Sequence, residues 1–229
     1  MVIGGFQRFS LTDFPGRIAA IVFTRCCGFR CPYCHNPELV DPARYAAPLD
    51  ETKMISFLKK RQGQLQGVVI TGGEPTFHED LPEFLERIRK LGYSTKLDTN
   101  GNNPTMLERV LSSGLVDYVA LDIKAPLRLY KDIAGPAADP SAIAQSVGLL
   151  LNTGIPHEMR TTLVESLLSI EDIRAIGELV RGCRLFALQR FNPARVLDHA
   201  YSIQMETTET KLREAHAALS AMGVPSVIR

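Results

Sequence analysis

Six short runs of apolar and β-branched residues recur along the chain, and each has the length expected of a buried β-strand. Glycine, proline and polar residues separate these runs from the segments that follow them. The pattern therefore predicts six strands, at residues 18–23, 67–71, 94–98, 118–123, 158–163 and 185–189.

Between and after the strands, apolar residues recur at the three- and four-residue spacing of a helix that buries one face. Gly92, Gly114, Gly154 and Gly223 each follow such a segment, where a left-handed residue commonly ends a helix. The predicted helices are residues 51–61, 81–91, 104–113, 141–153, 170–180 and 209–222.

Regular alternation of strand and helix predicts an α/β fold whose parallel strands are joined by right-handed crossovers. Periodicity leaves a doubly wound sheet and a complete or partial barrel equally open. No internal repeat or linker divides the chain, so we expect one domain over residues 1–229. The Gly- and Pro-containing segment 134–140 is the expected mobile loop.

Composition narrows the partners. The 26 Lys and Arg residues and 25 Asp and Glu residues give a net charge of +1, which creates no field for nucleic acid or an anionic membrane. We find no secretory signal and no apolar stretch that could span a bilayer, and we expect a cytoplasmic protein. Four of the five cysteines lie between Cys26 and Cys34, a spacing that favours metal binding by reduced thiols over disulfides.

Cys27, Cys31 and Cys34 follow the first predicted strand, spaced four and three residues apart. Thiolates favour soft metals and iron-sulfur clusters. Because a cubane has four irons, three protein thiolates would leave one iron open to another ligand. The alternative is a structural zinc site, which needs a fourth ligand such as Cys26 or His35.

Polar residues also follow the next four predicted strands. Gly72 and Gly73 would let a ligand lie close to the backbone, and Glu74 beside them could accept from an ammonium group. Asp98 and Asn100 suit sugar hydroxyls.

Asp122 and Lys124 follow the fourth strand and Arg160 lies in the fifth, where the cations could hold a carboxylate. The carboxyl ends of parallel strands are where α/β proteins build their sites. Together these groups match the metal-binding and polar groups of S-adenosylmethionine.

These motifs resemble the radical S-adenosylmethionine superfamily. Three further segments resemble the anaerobic ribonucleotide reductase activating proteins, which are relatives of the pyruvate formate-lyase activating enzyme. They are residues 9–16 (Phe-Ser-Leu-Thr-Asp-Phe-Pro-Gly), 31–37 (Cys-Pro-Tyr-Cys-His-Asn-Pro) and 189–193 (Gln-Arg-Phe-Asn-Pro). Cys26 and Gly28 stand where such proteins usually carry glycine and asparagine, which leaves Cys26 as either an alternative ligand or a thiol that binds no metal and is prone to oxidation.

The resemblance implies a parallel partial (β/α)6 barrel and a [4Fe-4S] cluster on Cys27, Cys31 and Cys34. The methionine amino and carboxylate groups of S-adenosylmethionine would bind the open iron. The expected contacts to the nucleoside are Tyr33 to adenine, Gly72, Gly73 and Glu74 to the ammonium, Asp98 and Asn100 to the ribose, and Asp122, Lys124 and Arg160 to the carboxylate or ribose.

By the same resemblance, reductive cleavage would give a 5′-deoxyadenosyl radical that takes a hydrogen atom from a glycine of a partner, a glycyl radical enzyme. A one-electron donor such as flavodoxin or ferredoxin would reduce the cluster. An open barrel could admit a partner loop past segment 134–140.

Two alternatives remain open at this stage. One keeps the chemistry with a small pterin-like substrate, as in the 7-carboxy-7-deazaguanine synthases. The other is a non-catalytic iron-sulfur or zinc module, which would have no use for Glu74, Asp98 or Asn100.

Overall fold

The computed structural model describes residues 1–229, and its central element is one sheet of eight strands. Neighbours in the sheet follow each other in sequence, so the order is β1 to β8 without a reversal. The strands are β1 Ile3–Ser10, β2 Ala19–Thr24, β3 Gly67–Gly72, β4 Ser94–Thr99, β5 Tyr118–Asp122, β6 His157–Leu163, β7 Phe186–Arg190 and β8 Ser226–Ile228.

The strand order distinguishes between the two parallel architectures. Strands β2 to β8 pair in parallel, and only β1 runs antiparallel to its neighbour β2. A doubly wound sheet would reverse its order at a switch point, and this sheet has none. Because β1 and β8 do not pair with each other, the sheet is a barrel left open along one side.

Helices connect the parallel strands. Asp50 and Ser169 begin two of them by accepting a hydrogen bond from a backbone N–H of the first turn, and Ser169 forms a complete capping box with Asp172. The helices are α1 Pro37–Val40, α2 Glu51–Lys60, α3 Leu81–Lys90, α4 Pro104–Ser112, α5 Tyr130–Ala134, α6 Pro140–Asn152, α7 Ile170–Leu179 and α8 Glu209–Ala221.

The sheet buries both of its faces. Along β3, Val68 and Ile70 pack into the large core between sheet and helices, whereas Val69 points into the barrel. There it meets Ile21 and Phe14 in a small apolar cluster. Phe14 comes from the loop after β1, and a Cβ on Gly67 would lie 2.8 Å from its ring. Residues 13–16, which include Phe14, therefore close the end of the barrel at which the parallel strands begin.

The predicted core of the fold is confirmed, with additions. All six predicted strands and all six predicted helices are present, and their ends differ from the predictions by at most one residue. The prediction of six strands was incomplete, because β1 and β8 extend the sheet to eight. The short helices α1 and α5 were also missed. None of the helices combines the length and apolar character that crossing a membrane would require.

Two local expectations change. Gly92, Gly114 and Gly223 have positive φ, but Gly154 does not: α6 ends in an extended residue, Thr153, that needs no left-handed glycine. The segment 134–140, expected to be a mobile loop, is hydrogen-bonded once to Arg30 and twice to Asn102, whose side-chain oxygen accepts from the Asp139 N–H at 2.8 Å. The Ala134 carbonyl accepts from the Arg30 N–H at 2.7 Å, and the Ala137 carbonyl accepts from Asn102 at 3.0 Å.

Candidate functional site

A cavity of about 380 Å³ lies at the carboxyl ends of the parallel strands. A larger groove of about 620 Å³ lies between α4 and α6 on the outside of the barrel, but no cysteine lines it. All of the site residues predicted from the sequence line the first cavity: Cys27, Cys31, Tyr33, Cys34, Gly72, Gly73, Glu74, Asp98, Asn100, Asp122, Lys124 and Arg160.

The cysteine loop between β2 and α1 is anchored to three other parts of the chain. Arg30 donates its backbone N–H to the carbonyl of Ala134, the last residue of α5, at 2.7 Å. The Pro32 carbonyl accepts from the Asp198 N–H at 2.9 Å. The His35 ring lies 3.1 Å from the Asn192 carbonyl, which follows β7. The loop is thus positioned by segments that are far from it in sequence.

Cys31 is buried, and Cys27 and Cys34 are partly buried. Burial raises the pKa of Cys27 and of Cys31 to about 12 each, and it raises the pKa of Cys34 as well. Two N–H groups nevertheless point at the Cys27 sulfur, from the Phe29 backbone at 3.3 Å and from the Asn100 side chain at 3.6 Å. Donors of this kind stabilise sulfur that has become anionic on binding metal.

The donor set fits a cluster better than a single ion. No three Cys, His, Asp or Glu side chains converge as one bound metal ion would require. A cubane does not need several side chains to converge on one metal ion, because each thiolate binds its own iron at a separate corner. Of the two possible fourth ligands for zinc, Cys26 does not line the cavity, and its side chain lies beside Tyr45. His35 does line the cavity, and one nitrogen of its ring lies 3.1 Å from the Asn192 carbonyl. The geometry therefore does not favour the structural zinc alternative.

The close approach of two backbone segments requires glycine at positions 72 and 73. A Cβ on Gly72, which has φ +114°, would lie 2.5 Å from backbone atoms of Thr24. A Cβ on Gly73 would lie 2.2 Å from the Cys26 carbonyl oxygen. These glycines let the end of β3 approach the start of the cysteine loop, and both also line the cavity, so the expectation that they lie beside a ligand stays a prediction.

Both oxygens of the Glu74 carboxylate accept hydrogen bonds inside the protein. One oxygen accepts from the Thr76 N–H at 3.0 Å, the Thr76 hydroxyl at 2.6 Å and the Thr99 hydroxyl at 2.6 Å. The other accepts from the Asn100 N–H at 2.7 Å. Burial raises the pKa of Glu74, and these four hydrogen bonds act in the opposite direction. Glu74 thus links the end of β3 to the end of β4.

Arg160 bridges the two aspartates of the site. Its Nε donates to Asp122 at 2.8 Å, and both terminal nitrogens lie 3.3 Å from one oxygen of Asp98. Burial alone would raise the pKa of Asp122, but Arg160 and Lys124 more than offset this and hold it well below its usual range. The aspartates are therefore paired before any ligand binds.

Lys124 is the less occupied of the two candidate cations. Its ammonium donates only to Asp122, at 3.1 Å. Burial by itself would lower the pKa of Lys124, but the Asp122 carboxylate and the nearby Cys31 thiol raise it, so the side chain stays charged. Tyr33 lies close by, with its hydroxyl 3.5 Å from the Lys124 carbonyl.

The sequence of this chain matches the model of a known protein family. The model of the Radical SAM superfamily matches residues 21–181, which include Cys27, Cys31 and Cys34 and the residues from Gly72 to Arg160.

The chain belongs to the radical SAM superfamily.

Two curated relatives cover most of this radical SAM enzyme. A Methanocaldococcus jannaschii protein named as a glycyl-radical enzyme activating enzyme is 31% identical over 93% of this chain and 89% of its own length. The pyruvate formate-lyase-activating enzyme of Clostridium pasteurianum is 32% identical over 80% of this chain and 79% of its own. The crystal structure of a domain of pyruvate-formate lyase-activating enzyme from Bacteroides vulgatus shares the fold, with a TM-score of 0.56 at 18% identity over 72% of this chain and 99% of that one.

Four residues of this radical SAM site were not predicted from the sequence. Lys96 is buried and pairs with Asp98 at 2.6 Å; its position two residues earlier on the same strand was the available signal. Thr99, whose hydroxyl donates to Glu74, lies between the predicted site residues Asp98 and Asn100. Gln189 and Thr162 line the cavity from β7 and β6, and only the Gln-Arg-Phe-Asn-Pro motif pointed to the first of them.

Proposed function

We propose that this radical SAM enzyme activates a glycyl radical enzyme. In this proposal Cys27, Cys31 and Cys34 hold a [4Fe-4S] cluster, and S-adenosylmethionine binds beside it in the same cavity. The observation that carries the cofactor assignment is that the three thiols share one cavity with the polar groups that the nucleoside requires. The similarity to activating enzymes along nearly the whole chain supports a protein substrate.

The contacts of the site suggest how its residues divide the work. Lys124, with one carboxylate partner, is assigned to the methionine carboxylate, and Tyr33 to the adenine. Asp98 and Asn100 are assigned to the ribose hydroxyls.

Glu74 and Arg160 are assigned mainly positioning roles, because their charged groups already bind other residues of the site. Glu74 would hold Asn100 against Cys27, and Arg160 would hold Asp98 and Asp122 in place. Gly72 and Gly73 would present their backbone to the methionine ammonium.

When bound, the reduced cluster supplies the electron for cleavage of S-adenosylmethionine, and the adenosyl product takes one hydrogen atom from the substrate to become 5′-deoxyadenosine. The chain's own part is to orient the nucleoside and keep water from the reacting atoms. Phe23, Phe29 and Val40 form apolar parts of the cavity wall. A small donor such as flavodoxin or ferredoxin is proposed to deliver the electron.

The test is anaerobic incubation of the reconstituted protein with dithionite, S-adenosylmethionine and a candidate glycyl radical enzyme. We expect 5′-deoxyadenosine and a glycyl radical signal on the partner by electron paramagnetic resonance. Cys34→Ala should abolish both. The matched control is Cys183→Ala, since Cys183 is buried but lies outside the cavity. Turnover of a pterin without any partner would instead support the small-molecule alternative.

A further inference from the structure

The interior of the barrel behind the cavity holds a lysine where parallel barrels mostly pack branched apolar side chains. Lys96 on β4 pairs in register with Val69 on β3, whose side chain points into the barrel, and with Tyr118 on β5. It is only 2% exposed and does not line the cavity. Residues two apart on a strand share a face, so Lys96 lies one layer deeper in the barrel than Asp98, which does line the cavity.

Lys96 makes one strong contact. Its ammonium donates to Oδ1 of Asp98 at 2.6 Å, and no other carboxylate lies within 4.0 Å of it. The centre of the Tyr118 ring lies 5.9 Å from the ammonium and adds a weaker attraction. Burying a lysine is costly, and an apolar residue of similar length would fill the space between Val69 and Tyr118 without that cost. The lysine is therefore better explained by its effect on Asp98 than by its contribution to the core.

The two oxygens of Asp98 have different partners. Oδ2 lies 3.3 Å from both terminal nitrogens of Arg160, whereas Oδ1 accepts only from Lys96. A carboxylate oxygen can accept two hydrogen bonds, so Oδ1 has room for one more donor. Lys96 reaches Oδ1 from outside the cavity, which leaves the remaining position open to a donor within the cavity. Without Lys96, Arg160 would hold only Oδ2, and the carboxylate could turn about that contact.

We propose that Lys96 is a positioning residue: it fixes Oδ1 of Asp98 in the orientation that accepts a ribose hydroxyl, and it thereby sets the preference for ribose over deoxyribose in the bound nucleoside. This inference rests on the proposed function, in which Asp98 binds the ribose. Hydrogen bonds to a charged acceptor are stronger than neutral ones, so a nucleoside that lacks this hydroxyl should bind distinctly more weakly. Loss of Lys96 should remove that discrimination.

The test measures the Kd of S-adenosylmethionine and of its 2′-deoxy and 3′-deoxy analogues by equilibrium dialysis against the anaerobically reconstituted protein. The proteins compared are the wild type, Lys96→Met, Lys96→Gln, Asp98→Asn and the control Lys90→Met, whose ammonium is exposed on α3. The measured quantity is the ratio of the Kd of each analogue to the Kd of S-adenosylmethionine. A general loosening of the site weakens all three ligands alike and leaves this ratio unchanged. Lys96→Gln decides the outcome if Lys96→Met does not fold.

We expect at least one analogue to bind roughly tenfold more weakly than S-adenosylmethionine to the wild type and to Lys90→Met. The ratio should fall below about threefold in both Lys96 variants, and it should also fall in Asp98→Asn.

An unchanged ratio in the Lys96 variants, together with a lower ratio in Asp98→Asn, would overturn the inference. An unchanged ratio in Asp98→Asn, or a wild type that binds all three ligands equally, would overturn it together with the assignment of Asp98 to the ribose. If the reconstituted wild type binds none of the three ligands, the proposed function itself fails.

Discussion

The replacement of Glu74 by Gln tests whether this carboxylate chiefly holds two strands together or chiefly binds ligand. Glu74 accepts four hydrogen bonds from Thr76, Thr99 and Asn100. A glutamine has one acceptor oxygen, so in either orientation its amide meets at least one donor and leaves a buried N–H or hydroxyl unpaired. That defect costs about 1–3 kcal/mol, and losing the charge weakens the remaining bonds. Relief from burying a charge offsets part of this.

We therefore expect Glu74→Gln to lower the free energy of unfolding by about 2–4 kcal/mol, using the unsatisfied-donor cost and the weaker neutral bonds together. For a chain of this size that corresponds to a fall in Tm of roughly 5–15 °C. Circular dichroism of the metal-free protein during heating and in urea measures both. Thr76→Val, which removes only the hydroxyl bond from Thr76, serves as the graded control and should cost about 1 kcal/mol.

One result would refute the positioning role of Glu74. If Glu74→Gln unfolds within about 2 °C of the wild type while the reconstituted protein loses affinity for S-adenosylmethionine, the carboxylate acts mainly on the ligand, as an acceptor for its ammonium group.

Three further predictions follow from the site. Because the pKa of Asp122 is held low, its ion pairs stabilise the fold fully above about pH 4 and lose effect as pH falls further. Arg160→Met should therefore make acid unfolding, measured by circular dichroism, begin at a higher pH. An unchanged acid transition would contradict the ion-pair bridge that Arg160 makes between Asp98 and Asp122. Gly73→Ala places a Cβ against the Cys26 carbonyl and should cost roughly 3 kcal/mol or more in urea unfolding, whereas Gly154→Ala, with nothing within 4 Å, should be nearly neutral. Cys26→Ser should retain the iron content of the wild type after reconstitution, and loss of the cluster would make Cys26 a ligand.

Burial decided which parts of the fold could be predicted from the sequence. Strands β2 to β7 are buried, so their apolar runs stand out. Strand β1 is different: it contains Gly4 and Gly5, and much of it is exposed at an edge of the sheet. Strand β8 has three residues, too few for any periodicity. Edge strands with mixed composition lack the pattern on which the prediction relied.

Membership of the site was predictable because each motif follows a parallel strand, and the carboxyl ends of such strands meet. The ion pairs and hydrogen bonds within the site were not predictable from the sequence. Arg160 reaches Asp98 from 62 residues away, a contact that depends on the register of three strands. The role of Gly73 depends on how closely two chain segments approach. Neither quantity is encoded in local sequence.

The central claim is that three thiolates hold a cubane whose remaining iron is open to the nucleoside. Electron paramagnetic resonance of the anaerobically reconstituted, reduced protein, recorded before and after addition of S-adenosylmethionine, tests it most directly. The account predicts a [4Fe-4S] signal whose g-values change when the nucleoside binds. A protein without a cubane, or a cubane whose spectrum is the same with and without saturating S-adenosylmethionine, would contradict it.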